Sequence, residues 1–223
     1  MKALIKQPAG IGDIFFCQKI VHKLRQQNYE VIWPVIPEFL WIKDYIDGVI
    51  FCDIGDQLQC NYDAILSLQE ADRLFPGMSV MEAKYKMVDL RYTDWCKYFQ
   101  FNRNEHKENQ LFYDVLKLHD DTPYVLKNFY FASPPHIQIC EAVKKVDCKG
   151  MREIHMSNLP DFTLLDWCKV ITKARAIHTV ETSLNYIIEK LNTTNDLHMY
   201  SKWIPANYFH IKNLFMKPWR YHD

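Results

Sequence analysis

Twice along this chain, short apolar runs with strand character alternate with longer runs of helical periodicity, joined by brief linkers. The first series opens at "ALIKQ" (3–7), closes at Pro8, and places Ile14, Cys17, Ile20, Val21 and Leu24 at helical spacing over 14–27. Strands follow at 29–35, 48–53 and 62–68, with a short helix at 38–46. A strand, a helix and a further strand bring the chain back in the same direction, so the rhythm dictates βαβ units and parallel sheet. Residues 79–118 lack Gly and Pro, are rich in aromatics and read as helices, with the charged stretch 102–109 as a solvated turn or helix end. Past Pro123 a second series begins: a strand at 124–131 broken by Pro134 and Pro135, then helices at 136–146, 163–174 and 182–191 alternating with strands at 152–157, 176–180 and 196–201. The expected fold is α/β, with two Rossmann-like βαβ domains, 1–120 and 121–223, facing across a cleft. The junction falls at 119–123, and the tail "KNLFMKPWRYHD" is expected as a final helix packing back. Ligands of open α/β sheets bind outside the carboxyl ends of the strands.

Composition narrows the function. The 27 basic and 27 acidic residues cancel, so the basic field of a nucleic-acid-binding protein is missing and no nucleic-acid partner is expected. No apolar run approaches the roughly 20 residues of a membrane span, and "MKALIKQPAG" lacks a signal peptide's apolar core, so a cytoplasmic location is expected. The basic, aromatic tail allows at most peripheral membrane contact. Seven cysteines, scattered and never spaced as CxxC, indicate neither a disulfide framework nor a zinc site and read as reduced thiols.

Two loops can carry chemistry. The first is "PAGIGDIFF", where Gly10, Ile11 and Gly12 lead from the first strand into the first helix and Asp13 follows. Glycine at such a turn lets backbone approach a ligand, and the helix start supplies unpaired N–H groups. Asp13 is either the helix N-cap or a carboxylate facing a ligand. The turn lacks the third glycine of GxGxxG and the Lys-Ser/Thr of a P-loop, which argues against a dinucleotide or ATP. The second loop is "TVETSLNY", where Glu181, Thr182 and Ser183 lie between a strand and a helix start. Its hydroxyls either cap the helix or bind phosphate, and Glu181 is placed to accept hydrogen bonds from sugar hydroxyls.

Together, "PAGIGDIFFCQKIVHKLR" and "NLPDFTLLDWCKVITKARAIHTVETSLNYIIEKL" resemble the N-terminal signature and the C-terminal segment of the ADP-heptose lipopolysaccharide heptosyltransferases and related family 9 glycosyltransferases of the GT-B type. The resemblance implies a compact GT-B fold and a transferase that moves a hexosyl or heptosyl group from a nucleotide-diphosphate sugar to a hydroxyl of a glycan or glycoconjugate. It makes Asp13 the catalytic base and Gly10, Ile11 and Gly12 the acceptor-side turn. Glu181, Thr182 and Ser183 stand where the family has Asp-Thr-Gly against the donor, and Tyr186 stands at its histidine position.

An inverting transfer needs a base for the acceptor hydroxyl and positive charge or amides for the departing diphosphate. No Asp-x-Asp pair is present to hold a metal on the diphosphate, so metal-independent transfer with no cofactor is expected. Lys127, Lys202 and Arg175 are candidate cations for that work, and each also reads as an ordinary surface residue. His155 and His178 fall within expected core strands as buried histidines. Trp95, Trp167, Trp203 and Trp219 read as packing anchors, or as indoles able to stack on a sugar ring. The alternative function is a nucleotide- or sugar-binding module of the same shape without turnover.

Overall fold

The computed structural model describes residues 1–56, 61–132, 136–203, 205–211 and 213–222, with His210 described by its backbone alone. Cys60 and the expected break at Pro134 and Pro135 lie outside the described residues. The chain divides into two compact units, Met1–Asn102 with Phe209–Leu214, and Arg103–Tyr208 with Phe215–Asp223.

In the first unit, β1 (Lys2–Ile5) leads through the Gly10 turn into α1 (Ile11–Phe16) and α2 (Gln18–Gln26). The single helix expected over 14–27 is thus two, parted at Cys17. Asn28 ends α2 in the left-handed region at φ 63°. There its N–H bonds the Arg25 carbonyl and that of Tyr29 bonds Leu24, the paired bonds of a Schellman stop. β2 (Glu30–Val35), a 3-10 helix at Pro37–Asp44, β3 (Ile50–Asp53), β4 (Ala64–Leu66), α3 (Ala71–Leu74) and α4 (Val80–Lys86) follow. The sheet runs β3-β2-β1-β4, parallel throughout. Successive strands are added to one side of β1 and then the other, which puts a topological switch between β1 and β4, the place where such sheets bind ligands. Phe15, Phe16, Trp33, Tyr85 and Trp95 fill the core, each such side chain contributing about 1.5–3 kcal/mol of burial.

The second unit starts with α5 (Glu105–Asn109), which runs into a π-helical turn at Gln110–Val115 and then β5 (Tyr124–Asn128). Next come β6 (Tyr130–Phe131), β7 (Gln138–Ile139), α6 (Glu141–Lys144), β8 (Arg152–His155), α7 (Cys168–Lys173), β9 (Ala176–Val180), α8 (Leu184–Lys190), β10 (Asp196–Tyr200) and β11 (Arg220–His222). The parallel sheet has the order β11-β10-β9-β5-β8, the doubly wound 2-1-3-4-5 arrangement read from the other edge, with its switch between β5 and β9. Both units are Rossmann-like α/β. No helix among the described residues is long and apolar enough to cross a membrane.

The chain passes from the first unit to the second at Asn102/Arg103, and α5 packs on α7 within the second. Two sequence expectations are corrected. The helix expected over 136–146 is the strand β7 followed by the one-turn α6, since Gln138–Ile139 pairs with Tyr130–Phe131. Where a C-terminal helix is expected over 212–223, Arg220–His222 forms the strand β11, whose backbone continues the sheet beside β10.

Candidate active site

At the carboxyl end of β1, Gly10 occupies the N-cap position of α1 with φ 89°, a conformation an L-residue adopts only at a cost. Asp13 therefore lies within the first turn of the helix and is not its N-cap; no side chain caps α1. Its carboxylate instead folds back over the turn. A Cβ built on Gly10 would come within 2.2 Å of Asp13 Oδ2, so the glycine is required both by its backbone and by the space the carboxylate fills. Gly12 and Ile11 are residues of α1 itself.

Two further side chains hold Asp13. Gln7 Nε2 donates to the Ala9 carbonyl at 2.6 Å and stands 3.5 Å from Asp13 Oδ2. The Gln7 carbonyl accepts from Trp33 Nε1 at 2.9 Å, and its side-chain Oε1 is buried without a hydrogen-bond partner among the described residues. Lys84 of α4 donates from Nζ to Asp13 Oδ1. The Lys84 side chain is 3% exposed and that of Asp13 is 21% exposed, so the cation is sealed while the carboxylate reaches the surface. Behind them lies Cys17, whose thiol burial pushes up to about 12, leaving it unreactive at neutral pH. Sequence reasoning missed Lys84. The signal is present in "MEAKYKMV": Met81, Lys84, Tyr85 and Val88 recur at i, i+3, i+4 and i+7, and Lys84 is the one charge on that apolar stripe.

The second loop assembles at the switch between β5 and β9. Asn128, the last residue of β5, is buried and donates from Nδ2 to Thr179 Oγ1 and Thr182 Oγ1, both at 3.0 Å. Thr179 Oγ1 donates in turn to the Val180 carbonyl at 2.7 Å. Asn185, fully buried in the first turn of α8, accepts the Thr182 N–H at 2.9 Å through Oδ1, and its Nδ2 has no partner among the described residues. Ser183 is the N-cap of α8 but makes no side-chain capping bond. Glu181 is buried and lies 3.8 Å from Lys202 Nζ, which also stands 5.7 Å from the Trp203 ring. Glu181, Thr182, Ser183 and Lys202 are thus gathered at the carboxyl ends of β9 and β10.

Other candidates lie elsewhere. Lys127 is buried in β5 and is engaged by the Val146 carbonyl at 2.6 Å and Glu153 at 2.8 Å. Lys127 in turn holds the Glu153 carboxyl down at about 2. Its ammonium is committed to the fold. Tyr186 is buried and packs edge-on against Phe215 at 5.1 Å, as a residue on the core side of α8 must. Arg175 precedes β9 and so lies at the strand's amino end, opposite the loop. His155 is half exposed, paired with Glu153 at 3.2 Å on the edge strand β8, rather than buried. His178 is buried as expected and bonds Tyr200 OH at 3.1 Å through Nδ1. Its ring stacks on His198 at 4.2 Å, and His198 stacks in turn on His222. Trp203 is 53% exposed and is not a packing anchor, unlike the buried Trp95, Trp167 and Trp219.

No sequence-family model and no curated protein matches the chain. Solved structures do. A family 9 glycosyltransferase from Veillonella parvula superposes with TM-score 0.60 at 10% identity, over 99% of this chain and 86% of that one. The chain shares the fold of the family 9 glycosyltransferases. Among the E. coli enzymes of this fold, ADP-heptose lipopolysaccharide heptosyltransferase II superposes with TM-score 0.58 at 14% identity, covering 100% of this chain and 90% of that one. Heptosyltransferase WaaC with ADP gives 0.52 at 14% identity, over 90% and 87%. At these identities the likeness is one of architecture.

Proposed function

We propose that this protein is a glycosyltransferase that moves a sugar from a nucleotide-diphosphate donor to a hydroxyl of a glycan or glycoconjugate, with inversion and without a metal. The observation that carries this is the partly exposed Asp13 carboxylate, held at the carboxyl end of β1 by Lys84 and against a glycine whose missing side chain makes room for it. The fold shared with glycosyltransferases supports it, as does the ADP bound by one of them.

Asp13 acts as general base in the first unit. The acceptor O–H gives its proton to the carboxylate, the oxygen forms a bond to the anomeric carbon, and the bond from that carbon to the diphosphate breaks with its electron pair leaving on the nucleoside diphosphate. The second unit serves the donor. Because Asn128 donates to Thr182 Oγ1, the Thr182 hydroxyl keeps its own proton to offer a phosphate oxygen, and Lys202 adds positive charge to the loop. Glu181 accepts from sugar or ribose hydroxyls. The test is incubation with ADP-, UDP-, GDP- and CMP-linked sugars, measuring free nucleotide. A transferase slowly hydrolyses its own donor, and EDTA is expected to leave that rate within about twofold. Complete loss restored by Mn²⁺ would overturn the metal-free mechanism, and no release from any donor would overturn the enzyme.

A further inference from the structure

We infer that Lys84 is the positioning residue of the reacting carboxylate: it pins Asp13 by Oδ1 and leaves Oδ2 as the oxygen that receives the acceptor's proton. The inference rests on the proposed role of Asp13 as base and adds a residue and an atom to it.

The ion pair is asymmetric. Lys84 is sealed beneath α4 and cannot touch a substrate, whereas the carboxylate it holds reaches the surface. A buried ammonium is tolerated only when a carboxylate or carbonyl compensates it, so the pair fixes Asp13 as firmly as α4 is fixed. α4 is capped at its start by Ser79 Oγ, which accepts the Glu82 N–H at 3.2 Å. Next to Lys84, Tyr85 OH donates to the Phe16 carbonyl of α1 at 2.6 Å, and the Phe16 and Tyr85 rings meet at 4.6 Å. The helix that carries the cation is thereby bolted to the helix that carries the carboxylate.

The two carboxylate oxygens then differ. Oδ1 is engaged by the ammonium. Oδ2 lies over Gly10 and, among the described residues, is approached by Gln7 Nε2 at a long 3.5 Å. A Cβ at position 10 would collide with this oxygen, at 2.2 Å. Lys84 therefore holds Oδ1, and the missing side chain of Gly10 makes room for Oδ2.

Michaelis kinetics of donor hydrolysis, using whichever of the ADP-, UDP-, GDP- and CMP-sugars the wild-type protein turns over, test this. Lys84→Met is expected to lower kcat roughly 10- to 100-fold with donor KM unchanged within about twofold, because an unheld carboxylate spends less time aligned. Asp13→Asn/Lys84→Met should be no slower than Asp13→Asn alone, since Lys84 acts only through Asp13. Wild-type kcat in Lys84→Met, or losses that multiply in the double variant, would overturn the inference while leaving the glycosyltransferase standing. Absence of turnover by the wild type removes the reaction and the inference together. Should Lys84→Met not fold, Lys84→Arg carries the same test, because its guanidinium keeps the charge but moves the contact. Reduced kcat at constant donor KM supports the role, and wild-type kcat refutes it.

Discussion

Gly10→Ala separates two reasons for a glycine, because the protein contains its own control. Gly10 and Gly77 share a positive φ, 89° and 88°, but a Cβ on Gly77 meets nothing within 4 Å, whereas one on Gly10 meets Asp13 Oδ2 at 2.2 Å and Cγ at 3.2 Å. Alanine in this conformation costs about 1–2 kcal/mol at either site. At Gly10 the carboxylate must also swing away from Lys84. Breaking a buried pair by losing one partner costs about 3–5 kcal/mol, and the partial exposure of Asp13 puts the loss near the lower end. Urea unfolding should therefore show Gly77→Ala losing about 1–2 kcal/mol and Gly10→Ala about 4 kcal/mol. Gly10→Ala should also lose donor hydrolysis, and Gly77→Ala should keep it. Equal destabilisation of the two variants, with Gly10→Ala fully active, would refute both the steric link to Asp13 and the role given to the turn.

Burial, followed by its histidine neighbours His198 and His222, lowers the His178 pKa from 6.5 to about 4. The unfolded chain therefore binds a proton that the folded chain refuses. This residue's contribution is intact above about pH 6.5 and falls as pH drops toward 4, by up to about 3 kcal/mol at 1.36 kcal/mol per unit. Urea midpoints between pH 7 and 4 should show the decline and His178→Phe should flatten it; parallel slopes would contradict the assignment. For the donor loop, Thr182→Ala should weaken ADP or UDP binding by about 1 kcal/mol, roughly fivefold, by calorimetry. Unchanged affinity in a folded variant would assign that hydroxyl to the loop's internal bonding with Asn128.

What the sequence made legible follows from where local and global preferences agree. The central strand β9 coincides with the run "AIHTV", which apart from His178 is apolar or β-branched, as suits a strand buried on both faces. The Gly10 turn and the Glu181–Ser183 loop were visible for the same reason, each lying where a strand pattern gives way to a helix pattern. Contacts distant in sequence were not visible. Lys84 meets Asp13 across 71 residues and Asn128 meets Thr182 across 54. Their roles are set by how α4 and β5 pack rather than by any local motif. The burial of Tyr186 was not visible either, because the packed face of the two-turn α8 decides where that side chain goes. The strand β11 was hidden by its length: three residues after Pro218 carry no periodicity of their own and are ordered by pairing with β10.

The central claim is that Asp13 is a base rather than a structural acid, and Asp13→Asn tests it most directly. Gly10, not Asp13, occupies the N-cap of α1, so the amide removes no capping bond, and its carbonyl can still accept from Lys84. The measurement is the release of free nucleotide from the donor sugar that the wild-type protein hydrolyses, at saturating donor. The account predicts a rate lower by roughly 10²- to 10⁴-fold with nucleotide affinity unchanged. A folded variant that binds nucleotide and releases it at the wild-type rate would contradict it.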